Sequence, residues 1–249
     1  MILVLVKELR KLHTMAGARK LQRMLADPEL GLPVNIGRDK LLDLLKRHNL
    51  LSPLPKKFKK TTNSNHKCPT HPNLLKGLKV SHVNQAWVCD ITYIRLPKGK
   101  FAYLYLVTDL FSRKIIGYAL KDNLTSVGAE EAFLKAVRHA KPKPGFIHHS
   151  DRGIQYCCKS YISLLEKHGA QKSMTGDNHC YDNAVAERVN GILKLEYGLG
   201  SVLPSLDAAR RLTKDGINLY NSKRLHVSLD YQTPAKIYEL SKQRAEASA

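Results

Sequence analysis

The chain has 249 residues, 43% hydrophobic and 25% charged, enough to bury one full core with room for a smaller second unit, which excludes a peptide or a disordered tail. Its 41 Lys and Arg against 21 Asp and Glu give a formal charge of +20, so a polyanionic partner is the first expectation. No stretch approaches the ~20 apolar residues of a membrane span, and no basic amphipathic helix carries aromatic anchors, so nucleic acid is preferred to a membrane.

Met1 to Val6 is apolar but too short for a signal peptide and is followed at once by Lys7 and Glu8, which predicts a cytoplasmic protein. Five cysteines, an odd number without framework spacing, fit a reducing compartment and predict no disulfide. Residues 1–80 are the more basic region per residue, with 17 Lys and Arg against 5 Asp and Glu. Two helical patterns lie there, Ala18 to Ala26 and Gly37 to His48, the second with Leu41, Leu44, Leu45 and His48 on one face. Asp27-Pro28 and Gly31-Leu32-Pro33 break the helix between them. With Arg19, Lys20, Arg23, Arg38, Lys40, Lys46 and Arg47 exposed, residues 1–55 are expected to form a helix-turn-helix-like DNA-binding domain. A small helical domain with a solvated basic face is the other reading.

Ser52 to Lys60, SPLPKKFKK, and the polar run after it have the composition of an extended linker, assigned to residues 56–80. His66, Cys68 and His71 are spaced like part of a zinc site, but a structural site needs about four ligands, so an ordinary loop is expected.

From Ala86 the pattern changes to strands. Ala86 to Leu96, Phe101 to Leu110 and Lys114 to Leu120 are β-branched and aromatic runs, the first two joined by a turn at Pro97-Lys98-Gly99-Lys100, and together they predict an antiparallel meander. A helix follows over Ser126 to Ala140, then a buried strand at Phe146 to His149, a helix over Tyr161 to His168 and a short strand at Gln171 to Met174. This order predicts an α/β fold, a mixed sheet covered by helices, over residues 81–200. Asp182 is expected to cap a helix running through Ala184, Val185, Val189, Ile192 and Leu193. Leu206, Ala209, Thr213, Gly216, Ile217 and Tyr220 trace a further helical face in a C-terminal helical extension, residues 201–249.

Three acidic residues stand out. Asp90 interrupts the apolar strand WVCDITYI, where an unpaired buried carboxylate would cost several kcal/mol. Asp151, in FIHHSDRGIQY, directly follows a short strand, where α/β sheets display ligand-binding groups. Glu187 lies one turn into the helix near Asp182. A mixed sheet can bring the three to one end, and three carboxylates are the oxygen donors that magnesium or manganese requires. Two such ions would serve an in-line phosphodiester displacement. Asn183, Asn190, Gly191 and Lys194 share the helical face of Glu187, so that Asn183 and Lys194 are candidate DNA contacts, Gly191 would allow close approach, and a merely solvated face stands beside that reading. His148 and His149 either position phosphate or are structural.

With these residues in hand, the chain resembles the transposases of bacterial insertion sequences with an integrase-type DDE core, in particular the OrfB product of the insertion sequence three group. The matching segments are WVCDITYI, LVTDLFSRKIIGYAL at Leu106 to Leu120, HSDRGIQY, DNAVAERVNGILKLE at Asp182 to Glu196 and YNSKRLHVSLDYQTPAKIY at Tyr220 to Tyr238. Between Asp151 and Glu187 lie 35 residues, the spacing this group shares with retroviral integrases. The resemblance implies a ribonuclease H-like core, Asp90, Asp151 and Glu187 as the catalytic triad holding two Mg2+ or Mn2+ ions, and Lys194 as a basic position near DNA. It also implies cleavage at element ends followed by strand transfer from the freed 3′-OH, a homo-oligomer that pairs the ends, association with the nucleoid, and an OrfA partner or fusion. Gly176 to Tyr181, GDNHCY, departs from the more basic, Gly-rich stretch common in the group. The rival readings are a DNA-binding regulator with a catalytically inactive core and a non-transposing nuclease of the same fold.

Overall fold

The structure, a computed structural model, describes residues 1–28, 33–52, 69–176 and 183–247. β-branched and aromatic residues build the central strand β1 (Ala86–Arg95), which is buried along most of its length because helices cover both of its faces. β2 (Phe101–Asp109) and β3 (Ile115–Lys121) continue from it as antiparallel neighbours, and Lys98 and Gly99, both at positive φ, turn the chain between β1 and β2. β4 (Ile147–Ser150) and β5 (Gln171–Met174) add in parallel on the other side, giving the order β3-β2-β1-β4-β5. This is the expected mixed, ribonuclease H-like sheet.

The pleat of β1 divides the core in two. Trp87 and Cys89, with Tyr105 and Val107 of β2, face a layer of helices α4 (Ser126–Ala140), α5 (Ile154–Cys157) and α6 (Lys159–Lys167). Helix α4 approaches the sheet closely because two glycines remove side chains from the interface. A Cβ on Gly117 would sit 2.7 Å from the Ala136 nitrogen and closer still to the Ala132 carbonyl, and one on Gly128 would meet the Tyr105 ring. On the opposite face, Ile94, Leu104 and Leu106 pack against α7 (Ala184–Glu196) and α8 (Leu206–Ser222). Ala209, Ile217 and Tyr220 of α8 belong to this second core, and Tyr238 of α9 (Pro234–Ala247) enters the first. The C-terminal segment, read from the sequence as an extension, therefore supplies part of the sheet's own packing.

Three helices precede the sheet, α1 (Ile2–Leu12), α2 (Ala18–Leu25) and α3 (Arg38–Arg47), closed around Val6, Ala16, Leu21, Leu25, Leu41 and Leu45. The sequence pattern marks only α2 and α3. His48, expected on the apolar face of α3, is exposed just past its end, so Leu41 and Leu45 carry that face. Lys20, expected in solvent, is partly buried where the N-terminal helices meet the core. The Thr14 hydroxyl donates there to the Glu196 carbonyl at 2.9 Å.

The expected helix cap Asp182 and the linker residues His66 and Cys68 lie outside the described residues; α7 begins at Ala184, with Asn183 at its cap position. Cys89, Cys157 and Cys158 are free thiols. Among the described residues no helix is long and apolar enough to cross a membrane.

Candidate active site

Side chains alternate along a strand, so Asp90, between Cys89 and Ile91 of the α4–α6 face, projects instead toward α7. The Ile91 N–H donates to one of its oxygens at 2.9 Å, and the side-chain amide of Asn190 on α7 donates to the other at 2.6 Å. Burial pushes the Asp90 carboxyl up to about 7, and the charge of Asp151 adds to the effect. The two hydrogen bonds pull it back, while Glu187 pushes it further up.

Asp151 reaches the same place through the sheet register. In the parallel β1–β4 pair Cys89 stands opposite Ser150, so the next residue on each chain is Asp90 on one and Asp151 on the other, about one strand spacing (~4.8 Å) apart at the end of β4. Asp151 leaves the strand in a tight turn in which its Oδ1 accepts the Gly153 N–H at 3.0 Å. A Cβ on Gly153 would approach that same oxygen to 3.0 Å, so glycine keeps the carboxylate uncrowded. The Arg152 guanidinium donates to the Thr175 carbonyl at 2.8 Å and ties the turn to the end of β5.

Glu187 occupies the first turn of α7, exposed, near enough for its charge to act on Asp90. One turn earlier Asn183 departs from its expected role. It is buried and its side chain donates to the Cys89 carbonyl at 3.0 Å, so it fixes the start of α7 onto β1 instead of facing solvent and DNA. Lys194 lies at the other end of the same face, half-buried. Burial lowers its pKa, the Asp90 charge raises it, and Arg95 lowers it again. The structure thus brings Asp90, Asp151, Glu187 and Lys194 to one side of the sheet and turns Asn183 inward. Among the described residues, no three His, Cys, Asp or Glu side chains are drawn together tightly enough to hold a metal ion as they stand.

Both histidines beside Asp151 are buried, each with a ring nitrogen engaged inside the protein. The His148 ring nitrogen Nε2 meets the Tyr161 hydroxyl at 2.8 Å, and burial lowers its pKa to about 3. His149 Nδ1 meets the Ser173 hydroxyl at 2.8 Å between β4 and β5. Two further features escaped the sequence reading. Asn190 appeared there only as a polar residue on the Glu187 face, and nothing in the pattern singled it out as the partner of Asp90. Glu196 and Arg224 form a bidentate pair with both contacts at 2.7 Å, joining the end of α7 to the chain beyond α8. Both fall within the motif segments, but 28 residues of separation hide the pairing.

Comparison with known proteins places this arrangement. The integrase core domain family matches residues 80–180 and again residues 168–234. The chain is 36% identical over 231 residues to the insertion element IS600 uncharacterized 31 kDa protein of Shigella sonnei, an alignment covering 92% of this chain and 83% of that protein. It is 35% identical over 184 residues to the transposase InsF for insertion sequence IS3A of Escherichia coli K12, covering 73% of this chain and 64% of InsF.

The chain belongs to the insertion sequence three group of transposases.

This transposase is a polynucleotidyl transferase of the integrase type, and it spans somewhat under two thirds of InsF. Its fold is shared with the HTLV-2 integrase catalytic core domain, solved in complex with magnesium, at TM-score 0.50 and 19% identity over 63% of this chain and 97% of that one. It is shared more extensively with a chain of the simian T-cell lymphotropic virus intasome, at TM-score 0.55 and 18% identity over 94% of this chain and 74% of that one.

Proposed function

We propose that this transposase cuts phosphodiester bonds at the ends of an insertion sequence and then joins the freed ends to new DNA, with Asp90, Asp151 and Glu187 as its catalytic carboxylates. The observation that carries the reading is the juxtaposition of Asp90 and Asp151 across the β1–β4 register, with Glu187 acting on Asp90 from α7. In the first step water attacks the phosphorus, a new P–O bond forms, and the bond to the 3′ oxygen breaks, leaving a 3′-OH and a 5′-phosphate. In the second, that 3′-OH attacks another phosphodiester, forming a new P–O3′ bond and displacing the original 3′ oxygen, which takes up a proton.

The donor set fits a divalent metal. Asp90, Asp151 and Glu187 offer carboxylate oxygens, which suit Mg2+ or Mn2+, and the upward push on Asp90 is the response of a carboxyl group that gains from a nearby positive charge. Two such ions, bound by these three residues, would supply charge neutralisation at the phosphate and a lowered pKa for the attacking hydroxyl. The protein's own groups do the rest. Asn190 and the Ile91 N–H orient the Asp90 carboxylate, Gly153 leaves room for that of Asp151, and Lys194 adds a positive charge for the DNA backbone.

The remaining assignments follow from the same reading. Residues 1–55 would bind DNA as a helix-turn-helix-like domain, 56–80 would link them to the core at 81–200, and 201–249 would brace that core. Pairing two element ends would take at least two copies of the chain, and an OrfA partner or fusion would assist end recognition. Such a protein would work in the cytoplasm on nucleoid DNA.

The test is incubation of the purified protein with supercoiled plasmid and manganese, alongside Asp151→Asn and Glu187→Gln. Nicked or joined products from the wild type alone are expected. Equal activity in all three proteins would overturn the assignment of these carboxylates.

A further inference from the structure

A cleft of about 490 Å³ opens where the N-terminal helices meet the core, and Asp90, Asp151 and Glu187 are not among its lining residues. Five cations line it: Arg19 and Lys20 of α2, Arg38 of α3, Arg188 of α7, and Arg224. Two carboxylates share the lining, and both are engaged. Glu196 is held bidentately by Arg224, and Asp39 pairs with Arg38 at 2.7 Å. Among the described residues, no carboxylate lies within ion-pair distance of Arg19, Lys20 or Arg188, so the described lining carries a net charge of +3.

Such an array is self-repulsive. Burial and the neighbouring Arg224 push the Lys20 amine down to about 8, with Arg188 adding to the effect and Glu196 opposing it. A fold that gathers unpaired cations into a concave surface at a junction loses stability by doing so, and an anion seated there relieves the repulsion. The position of Arg188 narrows the choice of anion. It follows Glu187 directly on α7, so the cleft and the carboxylate site sit around one helix, while its opposite wall is built from α2 and α3. A ligand that satisfies both must be extended and repeatedly charged.

We infer that this cleft is a phosphate-binding site for the sugar–phosphate backbone of DNA, gripping the duplex between the N-terminal helices and α7. The inference rests on the reading of the chain as a DNA transposase and adds to it a phosphate contact shared between the N-terminal helices and α7 of the core. Arg188 and Lys20 grip the strand from opposite walls, so the docking of α2 onto the core is part of the binding surface. DNA then stabilises that docking as well as using it.

The experiment is fluorescence anisotropy of the full chain on a labelled duplex of arbitrary sequence across a salt series. It compares wild type with Lys20→Gln/Arg188→Gln, with Lys20→Arg, and with Arg138→Gln/Lys143→Gln, which removes two exposed cations from the α4 side. Each phosphate contact contributes about 0.9 to the slope of log K against log salt, so the cleft double variant should lose close to two units of slope and bind about tenfold or more weakly at moderate salt. Lys20→Arg should retain the wild-type slope, and the α4-side control should lose less than half a contact. Thermal melts of each variant separate a loss of fold from a loss of contact, and Arg19→Gln, an exposed position, gives a second reading of the same wall.

A wild-type slope in the cleft double variant, or an equal loss in the control, overturns the inference while leaving the transposase reading intact. Failure of the wild type itself to bind DNA overturns both.

Discussion

The side-chain amide of Asn190 donates to the Asp90 carboxylate at 2.6 Å, linking the centre of α7 to the centre of the sheet. The bond holds the carboxylate at a fixed angle and offsets part of the repulsion from Asp151 and Glu187. Asn190→Ala is therefore expected to cost about 1–3 kcal/mol of stability, leaving the chain folded, and to reduce manganese-dependent plasmid nicking by about 10–100-fold, the usual range for a partner that orients a metal ligand. Asn190→Asp replaces the donor by another negative charge and should lose more. Full activity in Asn190→Asp would show that the contact has no positioning role.

The Glu196–Arg224 pair is nearly closed to solvent, with 15% and 4% side-chain exposure respectively. Arg224→Met leaves a buried carboxylate without its partner and should destabilise the chain by about 3–5 kcal/mol in urea melts. The double variant Glu196→Leu/Arg224→Met removes both charges and should recover most of that loss. If the double variant is no more stable than the single one, the cost lies in packing and not in the unpaired charge.

His148 gives a prediction in pH. Its pKa is lowered by burial to about 3, below the usual value near 6.5, so the native ring stays neutral where the unfolded chain takes up a proton. Its contribution is intact above about pH 6.5 and is lost as pH falls toward 3, at about 1.4 kcal/mol per pH unit. Asp90, pushed up to about 7, works in the opposite sense over part of that window, so the informative quantity is a difference between proteins. Between pH 7 and 5 the wild type should lose about 2 kcal/mol more unfolding free energy than His148→Gln. Parallel losses in the two would mean that the native ring takes up a proton.

Gly117→Ala tests the approach of α4 to the sheet. The added methyl would fall against backbone atoms of Ala132 and Ala136, which have no side-chain torsion with which to yield. Overpacking of this kind costs about 1–3 kcal/mol, which for a chain of this size lowers the melting temperature by roughly 3–10 °C. Gly191→Ala, where a Cβ meets nothing within 4 Å, should leave it close to the wild-type value.

The strands were legible in the sequence because each is a short β-branched or aromatic run bounded by turn residues, and Asp90 because an ionisable group interrupts one of them. Helix α1 was not legible. Its apolar Ile2, Leu5, Val6 and Leu9 do follow helical spacing, but Met1 to Val6 reads first as an unbroken apolar run. Asn183 and Asn190 share a face with Glu187 in the pattern, yet the pattern cannot tell a polar face turned to solvent from one that hydrogen-bonds a strand. The contact between the α1–α2 loop and the end of α7 was hidden for a different reason. Thr14 and Glu196 are 182 residues apart, and nothing local marks them as neighbours.

The β1–β4 register has a consequence for how this chain tolerates insertions and deletions. The sixty residues between Asp90 and Asp151 include the turn at Pro97–Gly99 and the loop between α4 and β4, where added length changes neither strand. One residue inserted within β1 ahead of Asp90 would instead rotate the carboxylate through the sheet to the α4 side, leaving Asp151 and Glu187 behind. For the catalytic set, phase along β1 matters more than distance along the chain, and an insertion scan should find loops that accept added residues beside a strand that accepts none.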